Sequence, residues 1–163
     1  MADNKEEKVS KTQERQFCTF WISNSYFGVD IADVKEISPQ IDYTPIFHAP
    51  GEVKGYMNIR GQLFLLIDMR MLMGFESKEV DGACRSILFD SEVGESFAIL
   101  VDRIGDIKAV FEDQIENRPT NDLNLPEGRE QGILDCMSGV CKLKDELLVI
   151  IDSGKILPLV GTP

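Results

Sequence analysis

An internal repeat constrains the fold of this chain more than any other feature of the sequence. The apolar and acidic positions of residues 26–37 recur 70 positions later in residues 96–107. The segment 55–68 recurs 84 positions later in residues 139–152. The two offsets differ because of an insertion of about 14 residues, and the Pro, Asn and Gly residues of 117–131 mark its position. The chain therefore consists of two halves with one common plan.

The first half has the residue pattern of short β-strands. Alternating apolar positions and β-branched side chains predict strands at 16–22, 26–30, 34–41, 55–59 and 62–68. Polar residues 23–25 predict a tight hairpin turn, and Arg60 with Gly61 predicts a second one. Unbranched residues 69–73 predict a short helix that ends at Gly74, followed by a segment of low order at 76–82.

These elements predict an all-β protein made of two small five-stranded barrels, because a closed barrel leaves no free sheet edge. We place the barrels at about 17–75 and 83–157, packed together as one domain with a groove between them. Residues 1–16 contain no apolar segment and are expected to be a flexible leader, and residues 158–163 to be a tail.

Charge and apolar run length exclude several classes of function. The formal net charge is −11, which disfavours binding to nucleic acid and to anionic membranes. The longest apolar runs have about five residues, far fewer than the ~20 that a membrane-spanning helix needs. Because the first residues lack a secretory signal, we expect a cytoplasmic protein whose four cysteines are thiols.

The sequence offers little for catalysis, so we predict no enzyme activity, no metal and no cofactor. The single histidine, His48, lies in a proline-bounded loop without a nucleophile in motif context. No phosphate-binding, dinucleotide-binding or zinc-protease motif is present. Asp68 and Asp152 end equivalent apolar strands, and this repetition favours helix capping over an acid pair.

Residues 55–70, GYMNIRGQLFLLIDMR, resemble the signature of the CheW family of chemotaxis coupling proteins. That signature is a G-x-x-N-L-R-G turn followed by an apolar strand that ends in Asp-Leu-Arg. The segments 26–37, 49–55 and 148–157 are similar to three further blocks of the family, in the same order. The family commonly has proline at the position of Leu65, and some members have a less acidic surface.

The resemblance implies two intertwined SH3-like barrels and a non-catalytic scaffold. Such an adaptor couples the cytoplasmic tips of chemoreceptors to the regulatory domain of the histidine kinase CheA, and is recruited to membrane-associated receptor arrays without inserting into the membrane. The receptor-facing positions that carry over are Val34, Glu36 and Arg60. Val34 could instead belong to the core, Glu36 could only solubilise a strand, and Arg60 could be an internal tie.

Two other functions compete with this one. A coupler of another receptor–kinase array, for example in pilus motility, would have the same fold, and the sequence does not separate the two. A small acid–base hydrolase would need two carboxylates at a fixed separation in a pocket.

Overall fold

The computed structural model describes residues 13–117 and 130–161, which form two sheets and a few short helices. The strands are β1 (Glu14–Ile22), β2 (Ser25–Asp30), β3 (Val34–Ser38), β4 (Val53–Ile59), β5 (Gln62–Asp68), β6 (Arg85–Phe89), β7 (Phe97–Val101), β8 (Arg103–Phe111), β9 (Ile115–Glu116), β10 (Met137–Lys142) and β11 (Leu147–Ile151). The helices are α1 (Met69–Leu72), α2 (Glu130–Cys136) and α3 (Ile156–Leu159), with 3-10 turns at Ile31–Asp33, Glu112–Gln114 and Ser153–Lys155.

The two sheets divide the chain in an unexpected way. The five-stranded sheet has the order β3-β6-β7-β5-β4, so it uses one continuous stretch of chain, residues 34–101. The six-stranded sheet has the order β8-β1-β2-β11-β10-β9 and combines strands from before and after that stretch. We call the first the inserted barrel and the second the split barrel.

The internal repeat is confirmed by the strand register. In the inserted barrel Leu65 pairs with Phe97, and in the split barrel Val149 pairs with Phe27, which are the equivalent positions of the repeat. Both pairings are parallel. The register also shifts at equivalent places, between Val53 and Gly55 in β4 and between Met137 and Gly139 in β10. The two barrels are therefore copies of one unit.

The barrels do not coincide with residues 17–75 and 83–157, the boundaries predicted from the sequence. The hairpin β1–β2 belongs to the split barrel, and β6–β7 belongs to the inserted barrel, so each half of the chain contributes strands to both sheets. Strand β1 also begins at Glu14, inside the predicted leader. Most of the predicted insertion at 117–131 and the ends of the chain lie outside the described residues.

Each barrel encloses its own apolar core, and a third core joins the barrels. Met57, Phe64, Leu66, Leu88 and Leu100 lie inside the inserted barrel, whereas Phe17, Tyr26, Val110, Cys141 and Leu148 lie inside the split barrel. The core between the barrels combines Phe20, Phe27 and Val29 with Ile67, Phe97 and Ile99. Because the strands at this contact are apolar on both faces, they show nearly continuous apolar runs in the sequence.

Local chemistry explains where several elements begin and end. Strand β3 ends at Ser38, three residues before the predicted end, because Pro39 follows and has no N–H for the ladder. The predicted short helix is confirmed as α1, and Gly74 beyond it has a φ of +87°. The four cysteines are confirmed as buried free thiols.

Candidate functional site

The hairpin turn between β4 and β5 is rigidly defined by its backbone. Ile59 pairs with Gln62, so the turn consists of Arg60 and Gly61 alone. Their φ angles are +50° and +84°, the left-handed values that a type I′ turn requires at both positions. The side chain of Asn58 accepts a hydrogen bond from the N–H of Gly61 at 2.9 Å. The Asn-x-x-Gly sequence thus holds Arg60 at the tip of the inserted barrel.

The structure brings Arg60 and Glu36 together. The guanidinium donates through Nη2 to the Glu36 carboxylate of β3 and forms an ion pair with it. The Arg60 side chain is still 72% exposed, whereas that of Glu36 is 27% exposed. Lys35 also reaches across to the turn, donating to the side-chain oxygen of Gln62 at 3.0 Å. Two of the three residues predicted from the sequence therefore form one polar cluster that ties β3 to the turn.

Val34 has a different environment. It is half-buried at the start of β3, where it pairs with Phe89 and packs against the core between the barrels. This placement matches the packing role that the sequence left open for Val34. The residue lies at the edge of the inter-barrel contact, where the groove was expected.

Three exposed apolar side chains lie on strands β3, β4 and β5, and the sequence interpretation missed them. Ile37 is 39% exposed, Tyr56 46% and Leu63 55%. Ile37 pairs with Ile87 and Tyr56 pairs with Leu65, so these side chains lie on the sheet face that forms the inter-barrel core. The sequence of β5 contained an indication of this outward apolar face. Every position from 63 to 67 is apolar, although only one face of a barrel strand points inward.

The equivalent turn of the split barrel is built differently. The N–H of Leu143 donates to the carbonyl of Glu146 at 2.8 Å, which closes a turn containing Lys144 and Asp145. Neither of these two residues has a positive φ. The repeat therefore preserves the position of the turn but neither its conformation nor its arginine.

Residues that were considered for chemistry have structural contacts. Asp68 accepts a hydrogen bond from the N–H of Arg70 at 3.0 Å, and Asp152 accepts one from the N–H of Gly154 at 3.0 Å. The capping prediction for both aspartates is thus confirmed. His48 is exposed in its loop, with its ring 4.2 Å from that of Phe47. Within residues 13–117 and 130–161, no group of three or more His, Cys, Asp or Glu side chains is arranged to hold a metal.

Comparison with known proteins supplies the family. The family model for the CheW-like domain matches residues 16–160, which is most of the chain. The chain belongs to the CheW family. It is therefore a chemotaxis adaptor of the kind that links receptors to CheA, as the resemblance of the turn signature predicted. Family membership also confirms the all-β fold of two SH3-like barrels.

The alignments with individual relatives cover most of both chains. Chemotaxis protein CheW of Klebsiella aerogenes is 25% identical over 150 residues, which cover 91% of this chain and 85% of the relative. The probable chemotaxis protein CheW of Rhizobium etli is 29% identical over 122 residues, 74% of this chain and 77% of the relative. The crystal structure of the scaffolding protein TtCheW from Thermoanaerobacter tengcongensis superposes with a TM-score of 0.72 at 22% identity, covering 85% and 89% of the two chains.

None of the described helices is both long and apolar enough to cross a membrane. The helices in this part of the chain have at most seven residues, and they pack beside the sheets.

Proposed function

We propose that this chain bridges the cytoplasmic tips of chemoreceptors and the regulatory domain of CheA, and that it works in the cytoplasm at membrane-associated receptor arrays. The family and the double-barrel fold support this role. Barrel ends should meet the kinase domain through apolar residues. Transient interfaces of this kind are commonly small, so we expect micromolar affinity.

The receptor-facing surface includes the cluster of Glu36 and Arg60. The ion pair at a rigid turn is the observation that carries this assignment. Arg60 uses one terminal nitrogen for Glu36 and is mostly exposed, so its planar fork retains donors for a carboxylate or carbonyl of a partner. Ile37, next to Glu36 in β3, and Leu63, next to Gln62 in β5, are exposed and supply apolar contact area, and Val34 supports β3 from the core side.

The repeat supplies a matched control for this assignment. Arg60→Ala should lower receptor-dependent activation of CheA in a reconstituted assay, whereas Lys144→Ala at the equivalent turn should leave it nearly unchanged. Arg60→Lys should restore part of the activity, since lysine keeps the charge but lacks the fork. Both alanine variants should stay folded, because the exposed Arg60 ion pair contributes about 0–1 kcal/mol and an exposed turn lysine contributes within about 0.5 kcal/mol. Equal coupling defects at the two turns would contradict the assignment.

The kinase contact can be measured separately. Calorimetric titration with the folded regulatory domain of the cognate CheA should show binding at about 100 μM. No heat of binding at that concentration would count against the bridging role, whatever the outcome at Arg60.

The hydrolase alternative finds no support at the cavity beside the β1–β2 turn. This cavity, about 430 Å³, is lined by Trp21, Tyr26 and Leu147 and contains Asp145 and Glu146. The two acids are consecutive in one turn rather than on opposite sides of a bound substrate. Genes for receptors and a kinase beside the coding sequence, rather than pilus genes, would favour chemotaxis over another array.

A further inference from the structure

Within the described residues the chain crosses between the barrels twice, and one crossing contains a half-buried charge. The first crossing is the 3-10 turn Ile31–Asp33 between β2 and β3. The second is Asp102 alone, between β7 of the inserted barrel and β8 of the split barrel. A side chain at this point can contact both barrels at once.

Asp102 makes contacts to both barrels. Its Oδ2 accepts from the guanidinium of Arg70, which lies in α1 directly after β5 of the inserted barrel. The same oxygen accepts from the N–H of Ser23, in the β1–β2 turn of the split barrel, at 2.7 Å. The N–H of Asp102 donates to the carbonyl of Trp21 at 3.2 Å. Arg70 is fixed in turn, because its Nε donates to the carbonyl of Glu76 at 2.8 Å.

The pair is half-buried and less exposed than the other arginine pairs. The side chains of Arg70 and Asp102 are 15% and 12% exposed, compared with 34% and 32% for Arg15 and Asp30. Among the ion pairs of the described residues, the other four join groups within one barrel. Arg70–Asp102 alone in this set lies at a crossing between barrels.

The equivalent crossing has no charged pair. The repeat places Ala32 at the position of Asp102 and Gly154 at the position of Arg70. The hydrophobic effect is non-directional, so the burial of apolar surface between the barrels does not by itself select one angle. Charge-assisted hydrogen bonds have defined directions, and ionic groups shielded from water select one arrangement in some proteins.

We infer that Arg70 and Asp102 are positioning residues that hold the split barrel at one angle against the inserted barrel. The pair thereby fixes the separation between the partner-binding surfaces that the two barrels present. The fixed angle between the barrels does not depend on the proposed function. The effect of that angle on kinase activation does rest on the proposed function.

The test removes both charges and keeps the local shape. Arg70→Met retains the aliphatic stem, and Asp102→Asn retains an acceptor for the N–H of Ser23. Spin labels at Glu95→Cys in the inserted barrel and Lys144→Cys in the split barrel report the angle as a distance distribution. The native cysteines are buried, so labelling is selective for the exposed positions. Arg15→Met is the control, because it removes an ion pair within one barrel.

The double variant should unfold in one transition, show a distance distribution clearly broader than the parent, and lose receptor-dependent kinase activation at least about fivefold, the lower end of typical coupling between sites. The control should keep the parent distribution and activation. A parent-like distribution in the double variant overturns the inference. A broad distribution with full activation overturns its consequence for coupling while leaving the Arg60 assignment intact.

If the double variant does not fold, the same distance measurement on Arg70→Lys decides. Lysine keeps the charge but loses the planar fork. A parent-like distance distribution then refutes the inference, and a broader one supports it.

Discussion

The two capping aspartates allow the contribution of burial to be measured within one molecule. Asp68 and Asp152 occupy equivalent positions of the repeat and make the same hydrogen bond to the N–H two residues ahead. Asp68 is 1% exposed and has the ammonium group of Lys54 at 3.6 Å, whereas Asp152 is half-buried. Replacing each by alanine therefore removes the same cap from two different environments.

Loss of the cap alone costs about 1 kcal/mol, which is the expected effect of Asp152→Ala. Asp68→Ala also leaves the ammonium group of Lys54, whose side chain is 21% exposed, without its partner, so we expect a total loss of about 3 kcal/mol. Asp68→Asn keeps the acceptor for the N–H of Arg70 and removes only the charge, so its loss should lie between the two. For a domain of this size the alanine variants should differ by about 4–8 °C in melting temperature.

Urea denaturation with a common m-value gives the three free energies of unfolding. Equal losses for Asp68→Ala and Asp152→Ala would refute the reasoning, because burial and Lys54 would then add nothing. A loss for Asp68→Asn as large as for Asp68→Ala would assign the whole effect to charge and none to the cap.

Three further outcomes are expected. Gly55→Ala should lower the free energy of unfolding by about 3 kcal/mol or more in urea denaturation, because a Cβ at this φ of +151° would lie 2.0 Å from the carbonyl oxygen of Thr44. As a control, Gly82→Ala places its Cβ in open space and should change the free energy of unfolding by less than about 0.5 kcal/mol. Burial raises the pKa of Cys18 to about 11 and that of Cys136 to about 12, so a thiol-specific disulfide reagent at pH 8 should react with both slowly until urea unfolds the protein. Burial also raises the pKa of Asp33, which makes its ionised form unfavourable in the folded state above the ordinary pKa. Asp33→Asn should therefore raise the melting temperature at pH 7, and the gain should vanish as the pH falls below the ordinary value of 3.8.

Elements defined by local chemistry were predictable from the sequence. Strand β5 has the predicted bounds, and the Arg60–Gly61 turn forms because glycine tolerates the left-handed region that a two-residue hairpin needs. Strand β3 was predicted too long, since the pattern of apolar residues continues past Pro39 although the ladder does not. Helix α2 begins at Glu130, at the end of the predicted insertion, and continues beyond it to Cys136; no apolar period indicated it.

The sequence predicted residues for the candidate site but not the contacts between them. The family signature pointed to Glu36 and Arg60, which are 24 positions apart in the chain. Their ion pair depends on how β3 meets the β4–β5 turn, which is a matter of sheet curvature. Ile37, Tyr56 and Leu63 were missed because their exposure depends on how far the other barrel extends over the shared sheet face.

The sequence by itself determined that this protein consists of two copies of one all-β unit, since a repeated pattern of apolar and turn residues specifies the period of the repeat. Only the tertiary structure decided where each unit begins. The period of a tandem repeat is the same wherever the boundary between its units is placed along the chain. In this protein that boundary depends on which sheet each hairpin joins. Here β1–β2 pairs with β8 and β11 across the whole length of the inserted barrel. Hydrogen bonds between strands so distant in sequence leave no local signal, because each strand has the same pattern whichever partner it joins.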